Sequence, residues 1–188
     1  MDKGRDDLWK ELTLFARELG LPSLQEFDTA VLLPEDRIRA YCVEDKCGNF
    51  GKNYTCPPYV GSIGEIKERL ARYKRGILFQ YSRQVDVKEN RRGVEESKVD
   101  FHEIVLQLEG FLNGKGIKDL WGMIGGSCAL CGECYGKHGT PCPYPERARQ
   151  SLESLGIDVI AFLKRFGLDS EFHSDRIIWT GCILFNPI

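Results

Sequence analysis

Four cysteines in one short stretch constrain this chain more than any other feature: Cys128-x2-Cys131-x2-Cys134, then seven residues, then Cys142 followed by Pro143. Steps of two residues let one tight turn aim successive sulfurs inward. A cysteine ahead of a proline completes the ligation in loops that grip cubic iron–sulfur clusters. Four thiolates also suit tetrahedral zinc. The usual zinc pattern, however, pairs two C-x2-C knuckles across a longer gap, and three cysteines in one compact run would crowd a single ion. The spacing therefore favours a 4Fe-4S cluster, with zinc as the alternative and a disulfide framework last.

The residues between these cysteines fit a cluster loop. Gly132, Gly136 and Gly139 permit sharp turns and let backbone N–H groups approach sulfides, which stabilises the reduced, more negative cube. Lys137 and His138 would tune charge in the same way; the competing reading for each of these residues is an ordinary solvated loop position. A helix expected from Pro145 to about Leu155 would add the positive end of its dipole if it faced the cluster.

A second, less regular group precedes it: Cys42-x4-Cys47-x8-Cys56, followed by Pro57-Pro58. Three cysteines within fifteen residues read as metal ligands, so the chain admits a second 4Fe-4S cluster. Its fourth ligand is open. Cys182, in IIWTGCILF, completes it in one reading and is a small buried hydrophobe in the other. Cys142 supplies it in a third, because the Cys-Pro residue of two-cluster ferredoxins ligates the other cube. With no fourth ligand, one iron keeps an exchangeable position and acts as a Lewis acid or sulfur acceptor. Glu44, Asp45, Lys52, Tyr54 and Tyr59 are the acid–base candidates beside it, each with an ordinary surface role as its competing reading. His102 and His173 lack ligand-like partners.

Composition places these cysteines in a reducing compartment. The 188 residues are enough to bury a core in one domain spanning 1–188 without crosslinks. Lys and Arg (26) nearly balance Asp and Glu (28), so no overall basic excess points to nucleic acid or an anionic membrane. The start MDKGRDDLWKELTLFARELG is too charged for a secretory signal, and no apolar run approaches a membrane span. A soluble cytoplasmic protein follows, where thiols ligate metal more readily than they pair. Cluster chemistry adds the expectation of an anaerobic or low-oxygen host.

Periodicity predicts an N-terminal helix over 5–19 and a short strand from Arg37 to Val43 that delivers Cys42 into a first cysteine loop, 42–61. A helix opened by the capping box Ser62/Glu65 follows, with the stripe Ile63, Ile66, Leu70 and Tyr73. Gly76–Val85 reads as a strand, Val94–Leu112 as the longest helix and Ile117–Ile124 as a strand leading into the second cysteine loop, 125–145. Asp158 caps a helix carrying Val159, Phe162, Leu163 and Phe166, and Arg176–Phe185 closes as a strand. The order predicts an α/β layered domain: a central mixed sheet with flanking helices and both cysteine loops at strand ends along one rim.

The strings CGNFGKNYTCPPYVG and GGSCALCGECYGKHGTPCPYPERARQSLESLGIDV resemble the two signature segments of an uncharacterised family of predicted metal-binding, cysteine-rich proteins, a domain of unknown function. The resemblance reaches most of the chain. It implies metal binding through Cys42, Cys47, Cys56, Cys128, Cys131, Cys134 and Cys142, and implies no reaction and no role for Cys182. The chain lacks a phosphate-binding G-x4-G-K-[ST], a dinucleotide fingerprint and a radical-type C-x3-C-x2-C. The leading expectation is single-electron transfer to a redox partner protein. An enzyme presenting an open iron to a small-molecule substrate at Cys42, Cys47 and Cys56 is the second, and a zinc-stabilised interaction module the third.

Overall fold

Ten residues at the C-terminal end of the chain, Arg176–Phe185, form the strand around which the sheet is built. The computed structural model describes residues 3–186. Its five strands are β1 (Leu24–Asp28), β2 (Arg75–Gln84), β3 (Trp121–Ile124), β4 (Gln150–Ser151) and β5 (Arg176–Phe185), in spatial order β1-β2-β5-β3-β4. All neighbours are antiparallel except β3 and β4, which are parallel. The strand pleat then sorts side chains between two layers. Cys182 and Leu184 of β5 join Leu78 of β2 on one face, while Ile183 and Phe185 join Ile77 and Phe79 on the other.

Helices cover both faces, as the α/β layered reading requires. On one side α1 (Lys3–Glu18) and α4 (Arg91–Gly114) supply Leu12, Ala16, Phe101, Val105 and Leu108. On the other, α3 (Ile63–Leu70) and α5 (Val159–Arg165) supply Ile66, Leu70, Phe162 and Leu163. Their starts follow local chemistry. Ser62 Oγ accepts the Glu65 N–H while the Glu65 carboxylate accepts the Ser62 N–H at 2.7 Å, the reciprocal capping box. Asp158 caps α5 through the Ala161 N–H at 3.0 Å. Among the described residues, no helix is long and apolar enough to cross a membrane.

Three segments differ from the sequence reading. Arg37 to Val43 is not a strand: Asp36–Val43 is a helix, α2, so the first cysteine loop leaves a helix end. Ile38, Arg39 and Cys42 are its partly sheltered positions, which is helical spacing, whereas Tyr41 and Val43 are exposed. No helix runs from Pro145 to Leu155. That stretch is a turn, then β4 paired to β3, then a 3-10 turn at Glu153–Leu155, because sheet pairing and burial of Leu152 and Leu155 outweigh its propensity. The strand expected over Ile117–Ile124 begins only at Trp121, and β1, a short edge strand with Phe27 alone buried, was not signalled.

Candidate metal centre

Both cysteine loops lie side by side, joined by partly sheltered hydrogen bonds. Asn53 Nδ2 of the first loop donates to the Cys128 carbonyl at 3.1 Å, and the Cys128 N–H donates to Thr55 Oγ1 at 3.2 Å. Asn53 Oδ1 accepts both the N–H and the hydroxyl of Thr55, at 3.0 and 2.9 Å, so the two residues act as one clamp. Tyr54 adds an O–H bond to the Thr140 carbonyl at 2.9 Å. Closest of all is Gly136, where a Cβ would stand 2.8 Å from the Lys52 carbonyl oxygen. Asn53 and Thr55 are buried at 3 % and 5 % exposure, and no periodic signal marks such residues inside a polar loop.

The eight thiols separate into two sets and one outlier. Cys128, Cys131, Cys134 and Cys142 line a single small hollow together with Tyr54, Tyr135 and Tyr144. Burial raises the Cys128 thiol pKa; Cys134 and Cys142 add to that, while N–H groups of Leu130 and Arg149 favour its thiolate. Burial likewise raises Cys131, followed by Cys142 and Cys134. Cys142 is therefore grouped with its own loop and not with the earlier trio. In that trio, burial and then Cys47 raise Cys42. Cys56 is pushed up to about 12 by burial, then by Cys47 and Cys42, against an opposing pull from Lys98.

Cys182 lies elsewhere. It is fully buried in β5, its sulfur 3.7 Å from Met123 Sδ, and burial alone raises its thiol. This placement matches the core hydrophobe reading. Among the described residues, no three His, Cys, Asp or Glu groups converge closely enough to hold a single metal ion. The donor chemistry nonetheless suits a metal: burial first, and then neighbouring thiolates, disfavour ionisation of Cys42, Cys56, Cys128 and Cys131, and a bound cation offsets that cost while displacing the protons.

The other candidates have partners of their own. Glu44 pairs with Lys46 at 2.8 Å, and Asp45 with Lys52 at 2.9 Å. Tyr59 donates to the Gly51 carbonyl at 3.1 Å and packs edge-on against Tyr54. Lys137 and His138 both bind Glu133, whose carboxylate offsets the lysine charge beside the cluster loop. His102 is buried against the Arg147 carbonyl, and His173 pairs with Asp169 at 2.9 Å.

The two sets also face different surroundings. Cys42 and Cys47 stand on the wall of a cleft of about 970 Å³, whose other walls include Tyr41, Glu153, Ile157 and Trp179. That volume is in the range of small-molecule sites. Glu153, which the sequence did not single out, is an exposed carboxylate on the wall of the cleft. The comparisons with known proteins agree with a metal centre: the model of a family described as "Predicted metal-binding protein (DUF2284)" matches residues 25–185. No curated protein and no solved structure matches the chain.

Proposed function

Since the chain belongs to this predicted metal-binding family, we propose that it is a cytoplasmic iron–sulfur protein that passes single electrons to or from a protein partner. The observation that carries this reading is the hollow lined by all four cysteines of the second loop. A 4Fe-4S cluster held there would supply reversible one-electron chemistry. The chain's own contribution is to shelter and orient. Tyr54, Tyr135 and Tyr144 screen the hollow, the Leu130 and Arg149 N–H groups stabilise negative charge on the Cys128 sulfur, and the Asn53/Thr55 clamp fixes Cys128 relative to the first loop.

A second reading is favoured by one further observation. Cys42 and Cys47 border the cleft, while Cys142 lines the other hollow with its own loop and Cys182 is buried in β5. We propose for Cys42, Cys47 and Cys56 a three-thiolate cluster site with an exchangeable position open to a small molecule in that cleft, which would make the protein an enzyme.

Anaerobic purification with iron, sulfide and zinc counting tests both readings. Two clusters are expected, with the spectrum of one altered by small added ligands. Colourless protein with stoichiometric zinc overturns the cluster readings in favour of a zinc-stabilised module. Two clusters that both ignore added ligands overturn the open site and leave electron transfer.

A further inference from the structure

The two cysteine loops meet at a recess that Lys98 lines together with Gly48 and Asn53 of the first loop and Cys128, Cys131 and Cys134 of the second. Lys98 projects from α4 with 15 % of its side chain exposed, and its Nζ donates to Ser127 Oγ at 3.2 Å, one residue before Cys128. Its stem lies along Gly126, where a Cβ would stand 3.4 Å from Lys98 Cε. Its charge is also felt at Cys56 of the first loop.

Several cations near the two loops are already committed, although Arg39, which favours the Cys42 thiolate, donates, among the described residues, only to the Gly61 carbonyl at 3.0 Å. Lys46, Lys52 and Arg149 each hold a carboxylate within 3 Å, at 2.8, 2.9 and 2.7 Å, and Lys137 is held by Glu133. The carboxylate nearest to Lys98, on Glu95, is 3.7 Å away and exposed, where such a pair contributes little. A half-buried cation so weakly matched acts more strongly on nearby anions than an exposed one, because the surrounding protein screens it less than water would.

We propose that Lys98 is a countercharge shared by both cysteine sets, a positioning residue that allows two anionic centres to sit side by side. This rests on the reading that both sets hold metal. A cation stabilises the more negative, reduced state of a nearby cluster, so its loss lowers the midpoint potential.

The test compares Lys98→Gln, Lys98→Arg and wild type, each purified anaerobically with its metal. Midpoint potentials of both centres and the rates of metal loss to a chelator are then measured. Lys98→Gln is expected to move both potentials to more negative values and to speed loss from both sets, and Lys98→Arg to restore both. Lys98→Met gives the same comparison if the glutamine variant folds poorly. Unchanged potentials and rates, or a response at one centre only, overturn the proposal. Should the protein carry zinc, the cluster reading fails by itself and the chelator rates alone decide the role of Lys98. A protein that binds no metal overturns both.

Discussion

Gly132, Gly136 and Gly139 look equivalent in the sequence, yet their surroundings give them different work. Gly139 adopts φ +67° with open space around it, and Gly132 has open space without that backbone demand. Gly136 instead lets the second loop rest on the Lys52 carbonyl of the first. Gly136→Ala is expected to push the two backbones apart, destabilising the protein by about 1–3 kcal/mol and loosening its metal. Gly132→Ala should stay within about 0.5 kcal/mol of wild type. Urea denaturation with metal counting separates them, and equal effects would remove the contact as the cause. Cysteine spacing announces ligands at this scale, but Asn53 and Thr55 become functional only through contact with Cys128, some seventy residues away, which no local pattern encodes.

The elements that were legible carry their own boundary chemistry. The Ser62/Glu65 box and the Asp158 cap act within four residues, so α3 and α5 could be placed from sequence. The stretch after Pro145 has no such independence. Arg149 is drawn to the buried Glu109 carboxylate of α4 at 2.7 Å, and the Arg147 carbonyl accepts the Nε2–H of His102, also on α4. His102 is fully buried, its Nδ1 has no hydrogen-bond partner, and burial lowers its pKa below the ordinary 6.5. The folded protein therefore holds His102 neutral, while the unfolded chain takes up a proton below that pH. Stability from this group is complete above 6.5 and declines as pH falls toward the folded value. Urea midpoints measured from about pH 7 to about pH 5 should fall less steeply in His102→Gln than in wild type. Parallel slopes would show that His102 is not the acid-sensitive group.

Across the whole molecule, core and cysteine loops are separable. The two apolar layers are built from strands and helices, and of the proposed ligands only Cys56 is buried; Cys182 belongs to the sheet. Stripping metal under reducing conditions is accordingly expected to leave the far-ultraviolet circular dichroism nearly intact. Amide hydrogen exchange should rise in residues 44–61 and 125–149, where hydrogen bonds join loop to loop. Loss of the sheet signal on chelation would mean that metal holds the core as well. The sequence by itself determined the thiol-rich chemistry, the layered α/β class, the capped helices and the closing strand, because spacing, pleat and caps are local consequences of residue order. Only the tertiary structure decided that β5 enters the middle of the sheet, that Cys182 is core, that Cys142 lines one hollow with the other cysteines of its loop and that Cys42 and Cys47 border a cleft. Those outcomes depend on pairings between residues far apart in the chain, whose energies come from burial and from hydrogen bonds that exist only once the layers have closed.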